Sequence, residues 1–292
     1  MLAYALYSMF YSFVEILTQP ITHTKGSGFI LYVDSFLKYE FEIGVILAVL
    51  FCGSFAFCIS LLAVHFLYRY IVICKPNNAQ DLEGNKIFKL FIPPVVLSTI
   101  WFLASFICLT PSEYKTEYMR DQVMQLYNDD TRLLAYIEVL YFFEDENGKK
   151  TINIGDWIAG LGICVQIMSL CLFTIIYCGF KTYQKMNNSE LTSSMSKNTR
   201  NLNRQLFRTL IIQTLFPVCT MFIPVGLLIV LPVFSIELGS FSNAPSMYAG
   251  MYPAIDAIIV ILMINDFRNV LFCRKRKVVR GQLSTIGSNN DS

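Results

Sequence analysis

The sequence contains little charge. Only 15% of its 292 residues are Asp, Glu, Lys or Arg, and 54% are hydrophobic, whereas a typical soluble domain is about 25% charged. A helix of about 20 apolar residues is long enough to cross the hydrocarbon core of a membrane. Six predominantly apolar runs of about this length are present: Met1–Thr18, Ile43–Phe66, Ile87–Thr110, Trp157–Phe180, Leu210–Phe234 and Met247–Ile264. We therefore predict an all-α fold, a polytopic transmembrane helix bundle with six crossings.

The chain also lacks the motifs of familiar enzymes and metal sites. It has no phosphate-binding loop and no HExxH motif, and it has only two histidines. None of its nine cysteines lies in a connection predicted to be outside the cell, which argues against a disulfide framework. Their spacing favours packing over metal binding. We expect no enzymatic activity, no cofactor, no metal and no nucleic-acid partner.

Lys and Arg are distributed unevenly between the two sets of connections. Sixteen of the 23 lie in residues 67–89, in residues 181–209 and after residue 264, and the other seven lie in the three connections 19–42, 111–156 and 235–246. Because an excess of Lys and Arg marks the cytoplasmic side of a membrane protein, the first set and the C-terminal tail are predicted to be cytoplasmic. With six crossings, Met1 would then lie on the cytoplasmic side as well.

The second run is predicted to lie in the middle of the bundle. Small residues let neighbouring helices approach closely, and in this run they recur on several faces: Gly44, Ala48, Gly53, Ser54, Ala56, Ser60 and Ala63.

The longest connection, residues 111–156, contains a stretch with helical apolar spacing, Thr131–Phe143. This spacing predicts a helix, either folded over the bundle as a cap or lying at the membrane surface.

Glu15, near the end of the first run, has two interpretations: an interfacial residue or a carboxylate that lines a pocket. Pro217, Pro224 and Pro232 predict kinks in the fifth run, and Pro253 and Asp256 lie near the middle of the last.

Four motifs resemble one receptor family. The central run ends in His65–Tyr70, HFLYRY, which is similar to the HF-x-YRY signature of nematode seven-transmembrane chemoreceptors of the Str type, a group that includes odorant receptors. Further agreement comes from Ile16–Pro20, from Arg204–Leu210 with the residues up to Pro217, and from Tyr252–Asp256 running on to Arg268. Their order and spacing match from residue 1 to about 272.

The resemblance implies a rhodopsin-like seven-helix receptor. The family has one more helix before the first run, so we expect this chain to cover helices two to seven, with residues 1–272 as the receptor bundle and 273–292 as a cytoplasmic tail. The family usually has proline after the aspartate of the last helix. Here that residue is Ala257, which predicts a weaker kink.

The same resemblance implies a G-protein-coupled chemosensory receptor in the plasma membrane, and in sensory-neuron cilia. Its expected partners are a small, apolar, odorant-like ligand, a heterotrimeric G protein and the lipid bilayer. The ligand is expected among aromatic residues in the outer halves of the crossings, where apolar pockets suit small molecules: Phe51, Phe55, Trp157, Phe222, Tyr248 and Tyr252.

The site of G-protein coupling is expected around Arg69, at the end of the central run. Arg69 matches the arginine that rhodopsin-like receptors use to contact the G protein. Those receptors place an acid before it, and here that position is Tyr68. A simpler reading, in which Arg69 only anchors the helix end, stays open. The expected activation residues are Tyr68, Arg69, Tyr70, Pro217, Pro253, Asp256 and Arg268, and Cys273 beside a basic cluster is a candidate for lipidation.

Two other functions compete with this interpretation. A transporter or channel would be expected to carry several charges within the membrane, internal repeats or a filter sequence; here only Asp256 lies deep in a crossing. A truncated receptor relative that inserts but does not signal would fit a chain without the family's first helix.

Overall fold

The computed structural model describes residues 2–76, 84–144, 149–187 and 197–263, most of which are helical. We number the α-helices in chain order: α1 Leu2–Thr18, α2 Phe41–Cys74, α3 Ile92–Cys108, α4 Glu113–Tyr127, α5 Ile154–Trp157, α6 Val165–Asn187, α7 Lys197–Pro217, α8 Ile223–Val230 and α9 Ala244–Met263. Tighter or wider turns extend several of them: 3₁₀ segments at Gly84–Phe91, Leu231–Phe234 and Gly239–Asn243, and π-helical segments at Ile158–Cys164 and Val218–Phe222.

Four continuous helices are long and apolar enough to cross a membrane: Phe41–Cys74, Lys86–Cys108, Ile154–Asn187 and Leu202–Phe234. A fifth crossing is counted if the bent pair Phe241–Tyr252 and Ala257–Met263 forms one span. The first predicted run forms the 17-residue helix α1. The predicted polytopic helical bundle is therefore confirmed, with small β-sheets that the sequence analysis did not predict.

Helix α2 occupies the centre of the bundle, as predicted. In its most apolar window 72% of the residues are buried inside the protein, whereas the other three long helices reach 22–39%. It packs against α1, α3 and α6. Gly53 illustrates the role of the small residues, because a Cβ there would lie 3.3 Å from the Cβ of Phe102 on α3. The absence of a side chain at this position lets the two helices meet closely.

A β-hairpin follows α1. Strand β1, Pro20–Lys25, and strand β2, Gly28–Val33, pair antiparallel from Pro20–Val33 to Lys25–Gly28. The turn between them consists of Gly26 and Ser27, and Gly26 has a φ of 49°, a conformation that glycine adopts without steric cost. β2 also pairs antiparallel with β3, Tyr136–Leu140, to give a three-stranded sheet.

The helix predicted over Thr131–Phe143 is wrong. This stretch contains β3 and the start of β4, Phe142–Glu144, which pairs with β5, Lys150–Ile152. A short apolar run fits a strand buried on both faces as well as a helix. All five residues of β3 are buried, because one face covers the bundle and the other packs beneath α4. Of the two alternatives left open for this connection, the cap over the bundle matches the structure, although strands rather than a helix form it.

The three connections predicted to lie outside the cell meet at this one end of the bundle. The hairpin comes from the first and β3, β4, β5 and α4 come from the second. The third contributes the 3₁₀ segment Gly239–Asn243, whose Ser242 hydroxyl donates to the Thr22 carbonyl at 3.0 Å. We call the hairpin, β3, α4 and this segment the cap.

Candidate functional site: an apolar cavity beneath the cap

A cavity lies between the cap and the helix ends nearest to it. Its volume, counted over positions open to the centre of a water molecule, is about 70 Å³, several times what one water needs. Its wall is almost entirely apolar. The residues that line it are Tyr11, Thr22, Phe29, Leu31, Phe51, Cys52, Phe55, Trp101, Ser105, Leu109, Ile137, Glu138, Val139, Gly160, Cys164, Met221, Val225, Leu228, Ile229, Pro245, Ser246 and Ala249.

The helical wall is built around two aromatic side chains of α2, Phe51 and Phe55, one helical turn apart. The Phe55 ring meets Trp101 of α3 edge to face, with ring centroids 5.9 Å apart, and meets Phe222 in the same way at 5.3 Å. Such edge-to-face pairs fix ring orientation beyond what simple burial provides. The three rings join α2 to α3 and to the fifth run on one side of the cavity.

The sheet forms the roof, and the alternation of its strands decides which residues face the cavity. Leu31, Ile137 and Val139 face the bundle and line the cavity. Ile30 and Tyr136 point the other way and pack beneath α4. Side chains on a strand alternate between its faces, so one face of the roof belongs to the cavity and the other to a separate core under α4.

Glu138 lies at the wall of the cavity, but its carboxyl group lies on the α4 side of the sheet. A Cβ built on Gly28 would lie 3.2 Å from Glu138 Oε1 and 2.7 Å from Cε of Met119 on α4. Both carboxyl oxygens are buried and have no hydrogen-bond partner among the described residues. Burial raises the pKa of the Glu138 carboxyl well above its ordinary value, and Asp156 adds to this effect while Lys115 and Lys25 oppose it. Burial therefore favours the neutral, protonated form of Glu138.

A buried ion pair holds the roof to the helices. The Lys115 ammonium on α4 lies 3.0 Å from both carboxylate oxygens of Asp156 at the start of α5. It also donates to the carbonyls of Cys108, at 3.0 Å, and Glu138, at 2.9 Å. Asp156 in turn accepts from the Leu140 amide at 2.6 Å. The ammonium has used all three donors, so this one side chain connects the end of α3, strand β3 and α5.

The predicted ligand residues are only partly brought together. Phe51 and Phe55 line the cavity, and Phe222 is fully buried against Phe55. Trp157 packs on Tyr141 at 5.4 Å, behind the wall. Tyr252 and Tyr248 do not line the cavity; Tyr252 is buried in the bundle, and Tyr248 is 42% exposed.

Sequence reasoning missed the roof and most of the helical residues of the wall, among them Tyr11, Trp101 and Ser105. The missed signal for the roof was Glu138, the only charged residue in the run 133–143. Aromatic and β-branched residues favour strands. A single acid within such a run indicates one polar side chain that is buried in spite of its cost.

Glu15 lies beside α9 rather than free in the interface. A Cβ on Gly250 would be 2.9 Å from its Oε1, and Glu15 lines an open groove between α1 and α9 with Asp34 and Asn243. Of the two readings for Glu15, this geometry matches the pocket-lining one.

The predicted coupling residues lie at the other end of α2. Tyr68, Arg69 and Tyr70 are all half-buried, and the Tyr70 ring lies 6.1 Å from that of Tyr177 on α6. Within the described ranges, Arg69 takes part in no salt bridge.

Two of the predicted activation prolines lie where helices depart from regular geometry. Pro217 is the last residue of α7, and a π-helical segment follows it directly. The two parts of the last span, on either side of residues 253–256, are bent by 48°, so Pro253 and Asp256 lie in the bend even though Ala257 replaces the proline expected after the aspartate. Arg268 and Cys273 lie outside the described residues.

Known proteins resemble this chain along nearly its whole length. The profile of the family described as "Serpentine type 7TM GPCR chemoreceptor Str" matches residues 1–272. "Serpentine receptor class r-10" of Caenorhabditis elegans is 29% identical over 293 residues, which cover 98% of this chain and 84% of that protein. "G-protein coupled receptor str-33" of the same organism is 26% identical over 271 residues, 92% of this chain and 78% of that protein.

These matches confirm the resemblance inferred from the four motifs. They also agree with the apolar helices in placing the protein among multi-pass membrane proteins, in a family of receptors rather than of enzymes. The chain belongs to the Str family of serpentine seven-transmembrane chemoreceptors, and it is a chemosensory receptor of the G-protein-coupled type.

Proposed function

We propose that the cavity beneath the cap is the ligand site and that it takes a small, largely apolar, odorant-like molecule. The observation that carries this proposal is an apolar space enclosed between the roof and the aromatic residues Phe51, Phe55 and Trp101. Small-molecule sites are typically concave and apolar and lie between helices of a bundle. Phe222 supports the wall from behind, whereas Trp157, Tyr248 and Tyr252 act through packing.

The bound ligand biases the bundle between two arrangements, and the opposite end reports the change to a heterotrimeric G protein. A ligand can shift such an equilibrium only by binding the two states with different affinity. Met221 lies on the wall and belongs to the π-helical segment that follows Pro217, so filling the cavity acts on the irregular segment of this helix. The residues proposed to carry the change are Tyr68, Arg69, Tyr70, Pro217, Pro253, Asp256 and Arg268.

The proposed orientation places the cap outside the cell and the C-terminus in the cytoplasm, in the plasma membrane and in sensory cilia. It is supported by the excess of Lys and Arg in the connections away from the cap. The three connections poor in these residues gather at the cap end. Cys273, beside the basic run 274–277, is proposed as a lipidation site.

The test is a matched pair of substitutions on α9. Ala249 lines the cavity and is 2% exposed, whereas Ala254, on the same helix, is exposed. Ala249→Leu adds three carbons to the cavity and is expected to abolish the G-protein response to an agonist found by screening volatile compounds. Ala254→Leu adds the same carbons outside the cavity, so the response is expected to persist.

Both variants carry an external epitope tag, so that the response is compared at equal surface amounts. An agonist response that Ala249→Leu leaves unchanged at normal surface expression would place the ligand elsewhere.

A further inference from the structure

Two hydroxyl groups in the cavity wall have no hydrogen-bond partner in the part of the chain that the structure describes. They belong to Tyr11 of α1 and Ser105 of α3, which are 1% and 0% exposed, and neither has a partner among the described residues. An unpartnered hydroxyl in an apolar environment typically costs about 1–3 kcal/mol. Both residues line the same cavity, so a polar group placed there would recover part of that cost.

The other hydroxyl groups of the wall have partners, and its one carboxyl group faces away. The Thr22 hydroxyl donates to the Ser242 carbonyl, and the Ser246 hydroxyl lies 3.5 Å from the Thr22 oxygen. The carboxyl group of Glu138 lies on the far face of the sheet, beside Gly28 and Met119. No charged group therefore faces the cavity from the part of the chain that the structure describes.

From this pattern we infer that the cavity selects neutral molecules with an apolar body and one oxygen-bearing group, which hydrogen-bonds the hydroxyls of Tyr11 and Ser105. This inference rests on the proposed function, since it specifies the ligand class of the same cavity. An ammonium or carboxylate ligand would be buried without an opposite charge, which is strongly unfavourable. A pure hydrocarbon would fit the apolar wall but leave both hydroxyls unpartnered.

Tyr7 provides a matched control on the same helix. Its hydroxyl donates to the Ser54 carbonyl, is buried, and lies outside this cavity. Removing the Tyr7 hydroxyl breaks this buried hydrogen bond between two helices, whereas removing the Tyr11 hydroxyl breaks no bond to a described residue. Tyr11→Phe is thus expected to weaken ligand binding without destabilising the free receptor, and Tyr7→Phe is expected to do the reverse. Ser105→Ala and Ser60→Ala form a second such pair, because Ser60 Oγ donates to the Ala56 carbonyl at 2.7 Å.

The experiment uses the full chain in lipid nanodiscs and four probes of equal chain length: pentane, pentanol, pentylamine and pentanoate. Binding is measured as the ligand-induced rise in unfolding temperature, followed over probe concentration. The rise in unfolding temperature measured for Ala249→Leu is subtracted. Because the added side chain fills the cavity in that variant, its rise reports only the partition of the probe into the lipid. Pentanol is expected to bind most tightly. Tyr11→Phe and Ser105→Ala are each expected to weaken pentanol about three- to tenfold and to leave pentane unchanged.

The inference would be overturned by equal binding of pentane and pentanol, by tightest binding of pentylamine or pentanoate, or by pentanol binding that Tyr11→Phe and Ser105→Ala do not weaken. No cavity-dependent binding of any probe would overturn it as well. These outcomes are distinct from failure of the proposed function, which is decided by the cellular response of Ala249→Leu. A response lost in that variant but indifferent to Tyr11 and Ser105 would keep the site and reject its selectivity.

Discussion

The cap and the bundle are held together by different kinds of interaction. In the bundle, hydroxyl groups mostly bond within their own helix: Ser60 Oγ donates to the Ala56 carbonyl at 2.7 Å and Thr209 Oγ1 to the Gln205 carbonyl at 3.0 Å. In the cap, the bonds join residues distant in sequence. Thr116 and Tyr136 share a hydrogen bond of 2.8 Å, and His23 and Gln122 share one of 2.9 Å.

This difference indicates how the two regions respond to a ligand. Contacts between the bundle helices are mainly apolar, and helices in lipid associate largely through van der Waals packing. Such contacts have little directional preference, so helices can shift and repack. Hydrogen bonds and buried ion pairs are directional, and a small shift breaks them. We propose that the cap forms a rigid roof and that the bundle rearranges against it. The predictions that follow test this contrast, starting with the largest expected effect.

Lys115→Met should cause the largest loss of stability. The substitution removes the ammonium that connects Cys108, Glu138 and Asp156, and it leaves the Asp156 carboxylate buried without a counter-charge. Breaking a buried ion pair from one side typically costs about 3–5 kcal/mol. The expected result is a lower unfolding temperature in nanodiscs, faster hydrogen exchange in β3 and little receptor at the cell surface.

Lys150→Met is the control, because Lys150 is exposed on β5. The double variant Lys115→Met/Asp156→Leu removes both charges and is expected to recover part of the lost stability. If the single variant keeps normal stability and normal exchange in β3, the cap is not held by this ion pair.

The helical part of the fold was predictable from the sequence because its signals are local. Runs of apolar residues at least 17 residues long, and the small residues of α2, depend on composition alone. The roof was not predictable in this way. The pairing of β2 with β3 joins residues about a hundred positions apart, and the run 133–143 fits a strand or a helix equally.

For the same reason, only some residues of the cavity wall could be predicted from the sequence. Phe51 and Phe55 follow from being aromatic on the central helix, whereas Tyr11 and Ser105 were missed because their importance comes from having no partner among the described residues. That property exists only in three dimensions.

Tyr141→Phe tests the junction between the two regions and should have the next largest effect. The Tyr141 hydroxyl, just after β3, donates to the Ile229 carbonyl on α8 at 2.8 Å, and both are buried. Loss of this donor should cost about 1–3 kcal/mol, because the carbonyl is left without its donor. Thermal unfolding in nanodiscs measures the effect, with the exposed Tyr183→Phe as control. Equal stability of the two variants would mean that this bond does not tie the cap to the bundle.

The pH dependence of cap stability should depend on Glu138. Its folded-state pKa is raised by burial, so between the unfolded value of about 4.3 and the raised value the folded cap holds a proton that the unfolded chain has released. Stability contributed by Glu138 is therefore fully present below the unfolded pKa and falls as pH rises, by at most about 1.4 kcal/mol per pH unit.

Glu138→Gln removes the titrating group and should flatten this slope between pH 5 and pH 8. The measurement is hydrogen exchange in β3 and α4 across that range, after correction for the intrinsic pH dependence of exchange. Glu144→Gln makes the same change at an exposed position of β4 and should leave the slope as it is. An unaltered slope in Glu138→Gln would assign the pH dependence to other groups.

Glu117→Gln should have the smallest effect, although it breaks two ion pairs of the cap. Glu117 on α4 accepts from Arg132 Nε at 2.9 Å and lies 3.8 Å from the Arg120 guanidinium. Its side chain is 49% exposed, so water and salt screen both pairs and solvate the charges after the change. Unfolding temperature and surface amount should match those of the unaltered receptor, at low and at high salt. A loss approaching that of Lys115→Met would show that surface charges, and not the buried ion pair, hold the roof in place.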